Sequence, residues 1–158
     1  MTAINRTSPS APARLISDGY IFKTQSILDW GCGYGKDVEF FRSKTKTVFG
    51  YDPAFSKELP SEPVDLITCI YVLCTLPNTK QRVQCIRDAS NCLKLGGKII
   101  IAARSKYDLK KDTATSYGLT HDEIRRLIVL AGLKPGFIEE ELFKNKRIAW
   151  GVGLLKEI

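Results

Sequence analysis

The chain has 158 residues, 44% of them hydrophobic, which is enough for one well-buried domain and too little for two. It carries 24 Lys and Arg against 17 Asp and Glu, a formal net charge of +7 that favours anionic partners without bearing on the fold. No apolar run approaches the length of a membrane span, and the start Met1-Thr2-Ala3-Ile4-Asn5-Arg6 lacks the hydrophobic stretch of a secretory signal, so a cytoplasmic protein is expected.

In chain order, residues 1–24 read as an arm and short helix packing on a domain formed by residues 25–158. Ser8-Pro9-Ser10-Ala11-Pro12 is an extended hinge that starts the helix, which ends near Gly19. A strand is predicted from Ser26 to Asp29, then a helix from about Gly35 to Ser43 with Val38 and Phe41 facing a sheet, then a strand from Thr47 to Tyr51. The apolar run Leu66 to Leu73 suits a strand buried on both faces. Asn78 to Leu95 reads as helical, with Val83, Ile86, Ala89, Ser90 and Leu93 as its inward stripe and Gly96-Gly97 as its stop. A strand from Lys98 to Ala103 and a polar loop follow. Thr120 and Glu123 then form a capping box at the head of a helix whose inner face is Ile124, Leu127, Ile128 and Ala131, ended by Gly132. Two last strands are predicted, Gly136 to Phe143 and Arg147 to Leu155, joined by Lys144-Asn145-Lys146.

The most informative run is Ile27-Leu28-Asp29-Trp30-Gly31-Cys32-Gly33-Tyr34-Gly35, followed by Val48-Phe49-Gly50-Tyr51-Asp52. An apolar strand enters a glycine turn that opens a helix, and a second strand ends in a carboxylate. That is how a parallel α/β sheet holds a nucleoside-containing cofactor. A dinucleotide fingerprint needs its third glycine where Lys36 stands, and Gly35 comes one residue early, which disfavours a pyrophosphate.

With Asp29 two positions ahead of Gly31, the run resembles the first motif of class I S-adenosylmethionine-dependent methyltransferases. The resemblance extends over most of the chain, through Val64 to Leu73 and Leu95 to Ile101. It implies a single-domain Rossmann-like α/β fold with S-adenosyl-L-methionine as cofactor. Asp29, Gly31, Cys32 and Gly33 would lie against its methionine and ribose portions, Asp52 would take both ribose hydroxyls, and Pro53, Cys69, Ile70 and Tyr71 would line the rest. It also implies that the last two strands form the antiparallel end of the sheet. One departure is large: Pro53 to Pro63 is too short for the usual helix and third strand, so both are expected to be missing, together with the acid that often meets adenine. Pro53 and Phe55 could give the ring an apolar face instead, with Ser61 or Glu62 as polar substitutes.

The arm, with Thr2-Ala3-Ile4-Asn5-Arg6, Ser10-x-Pro12 and Leu15 ahead of the glycine turn and Gly50-Tyr51-Asp52-Pro53, looks like methyltransferases associated with DNA phosphorothioation clusters. This resemblance implies a nucleic-acid setting. The arm is either a packing segment over the sheet or a cover for the cofactor, with Arg6 pairing the methionine carboxylate.

Methyl transfer from a sulfonium requires alignment of a nucleophile more than it requires a strong base, so catalytic residues are harder to read than binding residues. Cys69-Ile70-Tyr71 lacks both the Asn/Asp-Pro-Pro-Tyr/Phe motif used on amino groups and the Pro-Cys nucleophile of cytosine C5 enzymes. Tyr71 and His121 are the remaining polar candidates. An ordinary phenol suits a pocket wall better than a base, and His121 sits at the head of a capped helix. The five cysteines have no C-x-x-C spacing and are expected as reduced thiols, with no metal site. The basic run Arg104, Lys106, Lys110 and Lys111 reads either as a solvated loop or as a contact surface for DNA or RNA. The sequence therefore points to a methyltransferase acting on nucleic acid or another anion, with a small-metabolite enzyme and a non-catalytic cofactor-binding module as alternatives.

Overall fold

In the computed structural model, residues 3–21, 25–109, 111–113 and 116–156 are described. Among them, seven strands form one sheet: β1 (Ser26–Trp30), β2 (Thr47–Asp52), β3 (Ser56–Lys57), β4 (Val64–Ile70), β5 (Leu93–Arg104), β6 (Lys134–Pro135) and β7 (Ile148–Leu154), in the order β3-β2-β1-β4-β5-β7-β6. The helices are α1 (Ala11–Tyr20), α2 (Lys36–Arg42), α3 (Thr79–Ser90), α4 (His121–Leu130) and the single turn α5 (Glu140–Phe143). The central strands β2, β1, β4 and β5 run parallel, and β7 pairs antiparallel with β5. This is the expected Rossmann-like α/β sheet with an antiparallel end.

The uninterrupted apolar runs follow from burial on both faces. Along β5, Ile99 and Ile101 enter one core with Ile86, Ile124 and Ile128, while Ile100 and Ala102 enter the other with Ile16, Phe41 and Trp150. Alternation with a period of two therefore yields hydrophobic residues at every position, because helices cover both sides. Each such isoleucine contributes about 1.5–3 kcal/mol relative to exposure.

The connection after β2 is as short as its sequence implied. No helix forms between Pro53 and Pro63, and the parallel third strand is replaced by Ser56–Lys57, which turns back antiparallel on Tyr51 and Asp52. The Ser56 hydroxyl donates to the Gly50 carbonyl at 2.9 Å, fixing this small edge.

Two element boundaries differ from expectation. The helix predicted to Leu95 ends at Ser90, and Leu93, Leu95, Gly96 and Gly97 belong to β5. Leu93 matched the helical stripe but pairs with Val64. The register then shifts, so that Leu66 pairs with Lys98, and Gly96 takes a positive φ of 79° within that irregularity rather than capping a helix. The strand predicted over 136–143 is also absent: β6 is only Lys134–Pro135, and residues 140–143 form α5. Val152 offers its carbonyl to Gly136, after which the chain leaves the sheet.

β4 stops at Ile70, short of the predicted Leu73. Tyr71 takes φ 58°, and Leu73–Thr75 form a 3-10 turn that contains Cys74. Such a left-handed residue costs about 1–2 kcal/mol when it is not glycine. This strained position lies where the sheet opens into the cleft.

Candidate functional site

A cavity of about 1160 Å³ opens at the carboxyl ends of the parallel strands. Open α/β sheets bind ligands at that edge. The sheet order arranges its lining along a line: Asp52 at the end of β2, Trp30 and Gly31 at and just after the end of β1, Ile70 and Tyr71 at and just after the end of β4, Arg104 at the end of β5, and Arg147 just before β7. Strands lie about 4.8 Å apart, so Asp52 and Arg104 are separated by three spacings, about 14 Å.

The glycine turn exposes bare backbone to this cavity. Gly31 has φ 79°, and a Cβ there would stand 2.4 Å from Cγ2 of Val72, so a side chain is excluded by conformation and by space. Its N–H and that of Cys32 donate to the Tyr51 carbonyl at 2.7 and 3.0 Å, which ties the turn to the end of β2. Asp52 closes the same junction: one carboxylate oxygen accepts from Gly33 N–H at 3.0 Å and the other from Ala54 N–H at 2.8 Å. A carboxylate has about four lone-pair directions, so each oxygen retains capacity for a hydroxyl donor.

Asp29 lies beneath the turn, 3% exposed, and its Oδ1 accepts from the Thr68 hydroxyl at 2.8 Å. Burial and then the neighbouring Asp37 push its carboxyl up to about 8, against the opposing pull of the Thr68 hydroxyl and Arg6. Burial thus favours the protonated form of Asp29. Burial, with Asp29 and Asp52 close by, likewise raises the Cys32 thiol to about 12, leaving it unreactive.

The N-terminal arm lies across this end of the cavity. Ala3, Ile4, Arg6 and Ala11 line it, Arg6 stands 5.5 Å over the Tyr71 ring, and a Cβ on Gly33 would approach Ala3 to 3.2 Å. Sequence reasoning missed what holds the arm there, a pair of hydrogen bonds from Ser10 to Asp37 on α2. It also missed the aromatic wall. Trp30 and Tyr51, opposite each other in register, stack at 4.4 Å, and Tyr34 meets Phe55 at the same separation. Pro53, Ala54 and Phe55 line the cavity beside them, whereas Ser61 and Glu62 do not. Only knowledge of the strand register could have paired Trp30 with Tyr51.

Beyond Tyr71 the lining becomes polar, with Arg104, Asp108, Ser116, Asn145 and Arg147. Burial raises the Tyr71 pKa above that of an ordinary phenol, although Arg6 opposes the shift. Several residues named from the sequence are placed elsewhere. Cys69 does not line the cavity, because strand alternation turns its thiol into the α3 core, against which Cys85 also packs. His121 lines a separate cavity of about 380 Å³, its Nδ1 accepting from Trp150 N–H at 2.9 Å and its ring edge-on to Phe143. Lys106 is paired with Glu123, Lys111 is exposed, and Lys110 lies outside the described residues. Among the described residues no group of three or more His, Cys, Asp or Glu could hold a metal ion, and no helix is long and apolar enough to cross a membrane.

A parallel sheet with a glycine turn after its first strand, an acid ending its second and an antiparallel β7 set beside β5 has the architecture of class I methyltransferases. The chain belongs to the methyltransferase domain family, whose sequence model matches residues 3–132. No curated protein matches it. Among solved structures it is similar to an O-methyltransferase family protein from Burkholderia thailandensis (14% identity, TM-score 0.69, 92% of this chain), of whose length it spans only 55%. It is also similar to a Haloferax volcanii methyltransferase solved in complex with a methyltransferase activator (14% identity, TM-score 0.67, covering 92% of this chain and 89% of that one). A third is an amino pentose methyltransferase from Micromonospora echinaspora, solved with S-adenosylmethionine bound (14% identity, TM-score 0.65, 92% of this chain and 90% of that one). At these identities the likeness is one of fold.

Proposed function

We propose that the protein is an S-adenosylmethionine-dependent methyltransferase whose acceptor is a small molecule held in the same cleft as the cofactor. The observation that carries this reading is the continuity of one 1160 Å³ cavity from Asp52 and the glycine turn to Arg104 and Arg147. Small-molecule sites commonly occupy about 300–1,000 Å³, so this cavity has room for a cofactor and an acceptor side by side.

The residues fit the cofactor. Asp52 has free acceptor capacity for two ribose hydroxyls, Gly31 and Gly33 leave backbone where a Cβ would intrude, and Pro53, Phe55, Tyr34 and the Trp30–Tyr51 pair offer apolar faces to adenine. Arg6 is available to the methionine carboxylate from above, with Asp29, Cys32, Ile70 and Tyr71 forming the floor. The cofactor would supply a methyl group already attached to a good leaving group. The chain's own task is then to bind, align and exclude water, and Tyr71, with its raised pKa, acts as a wall and hydrogen-bond donor rather than as a base. His121, in its separate cavity, has no part in this reading.

A second reading, methylation of DNA or RNA, is favoured by the net charge of +7 and by the likeness of the arm and glycine turn to methyltransferases of DNA phosphorothioation clusters. Lys106 and Lys111, which do not line the cavity, would then contact phosphates.

The test is transfer of labelled methyl from S-adenosylmethionine into separated DNA, RNA, protein and metabolite fractions. Label in the metabolite fraction is expected. Label confined to a polynucleotide, with binding that weakens with salt by about one logarithmic unit per phosphate contact, would replace the first reading with the second. Cofactor binding without transfer into any fraction would leave a binding module.

A further inference from the structure

From the far end of the cavity we infer that the acceptor is an oxyanion, a carboxylate or a phosphate, held by the guanidinium groups of Arg104 and Arg147. This inference rests on the methyltransferase reading and names the substrate class of that site. The two arginines approach the cavity from adjacent strands, Arg104 ending β5 and Arg147 preceding β7, with Arg104 paired across the ladder to Ile148.

One carboxylate stands between them. Asp108 accepts from Arg104 Nε at 3.1 Å through Oδ2 and lies 3.7 Å from Arg147 Nε through Oδ1. Both contacts use the Nε edge. Among the described residues neither arginine's terminal Nη groups have a protein hydrogen-bond partner, and those groups form the fork that matches a carboxylate or phosphate. Asp108 thus orients the Arg104 guanidinium by a hydrogen bond and stands within ion-pair reach of Arg147, leaving the forked Nη edges of both unengaged. With Arg6 at the cofactor end, over the Tyr71 ring, this end of the cavity holds two cations against one anion. The other carboxylates of the lining lie on β1, β2, α2 and α3, toward the glycine turn and the α3 side.

The arrangement is supported from behind. Asp108 N–H donates to the Ser105 hydroxyl at 3.1 Å, the Ser105 hydroxyl donates to the Lys146 carbonyl, and Arg147 N–H donates to Asn145 Oδ1 at 3.1 Å. The loop after β5 and the turn before β7 are therefore fastened to each other beneath the two arginines. Ordering long charged side chains costs entropy, and a surface ion pair returns little of it.

The experiment uses the full chain saturated with S-adenosylhomocysteine, whose own binding is measured first by calorimetry. Benzoate, inorganic phosphate and uncharged benzamide are then titrated into wild type, Arg104→Gln/Arg147→Gln and the exposed control Lys111→Gln. Saturable binding of benzoate or phosphate is expected, identifying which oxyanion is preferred, with none for benzamide. The double variant should weaken anion binding by about tenfold or more while changing cofactor affinity by less than about twofold. Arg147→Gln alone, at a largely exposed side chain, serves if the double variant fails to fold. No binding of either anion, equal binding of benzamide and benzoate, or undiminished binding in the variant would overturn the inference. Failure of S-adenosylhomocysteine itself to bind would instead contradict the underlying methyltransferase reading.

Discussion

Ser10 and Asp37 are joined twice: the Ser10 N–H donates to Asp37 Oδ1 and its hydroxyl to Oδ2, both at 2.7 Å and both buried. The same hydroxyl accepts from Ala13 N–H at 3.2 Å as the cap of α1. One side chain thus starts the first helix and pins the arm to α2, which carries Ala3 and Arg6 over the glycine turn. Asp37→Ala removes a charged acceptor from two buried donors, and a loss of about 1.5–3 kcal/mol per bond is the upper expectation. In urea denaturation the variant should be clearly less stable, and its affinity for S-adenosylhomocysteine should fall as the arm is released. Affinity equal to wild type in the folded variant would make the arm a packing element only.

Asp29 makes stability depend on pH. An unfolded aspartate titrates near 3.9, whereas in the fold burial holds this carboxyl at about 8. Between about pH 4 and pH 8 the unfolded chain has lost a proton that the folded chain keeps, so stability falls as pH rises through this window, by up to about 1.4 kcal/mol per unit. Asp29→Asn keeps an acceptor for the Thr68 hydroxyl and has no proton to lose. Urea midpoints at pH 5 and pH 7.5 should lie closer together in the variant than in wild type. An identical spread in both proteins would show that Asp29 is not the titrating group.

Tyr71 is expected to act through its ring and its backbone. Tyr71→Phe keeps the face under Arg6 and removes only the hydroxyl, whose raised pKa unsuits it to proton removal. Its methyl-transfer rate should stay within about tenfold of wild type with an unshifted pH profile, since a positioned general base contributes about 10²–10⁴-fold. A loss in that larger range, together with a displaced pH profile, would return Tyr71 to the role of base.

What the sequence revealed was local. The strand, glycine turn and helix from Ile27 to Arg42 lie in one continuous segment, and the capping box of Thr120 and Glu123 spans a single helical turn; both form as their residues imply. The errors arose where a partner decides the outcome. Leu93 fits a helical stripe as well as it fits a strand, and only pairing with Val64 resolves it. Residues 136–143 read as a strand, but pairing with β7 is confined to Lys134 and Pro135 just ahead of them, and residues 140–143 turn into α5. Within the site, Asp29, the glycines and Asp52 were legible because they lie within one βαβ unit. Ser10 with Asp37 was not, being 27 residues apart, and neither was Arg104 with Asp108 and Arg147, which requires β7 to lie beside β5.

The central claim is that Asp52 and the glycine turn bind the nucleoside end of S-adenosylmethionine, and calorimetric titration of S-adenosylhomocysteine tests it most directly. Wild type should bind one equivalent. Asp52→Asn keeps an oxygen acceptor and a similar shape at the turn, and it should lose about 1.5–3 kcal/mol of binding free energy by removing the charge that receives the ribose hydroxyls. Circular dichroism on the same sample establishes that the variant is folded. Absence of binding by wild type, or undiminished affinity in the folded Asp52→Asn protein, would contradict the account.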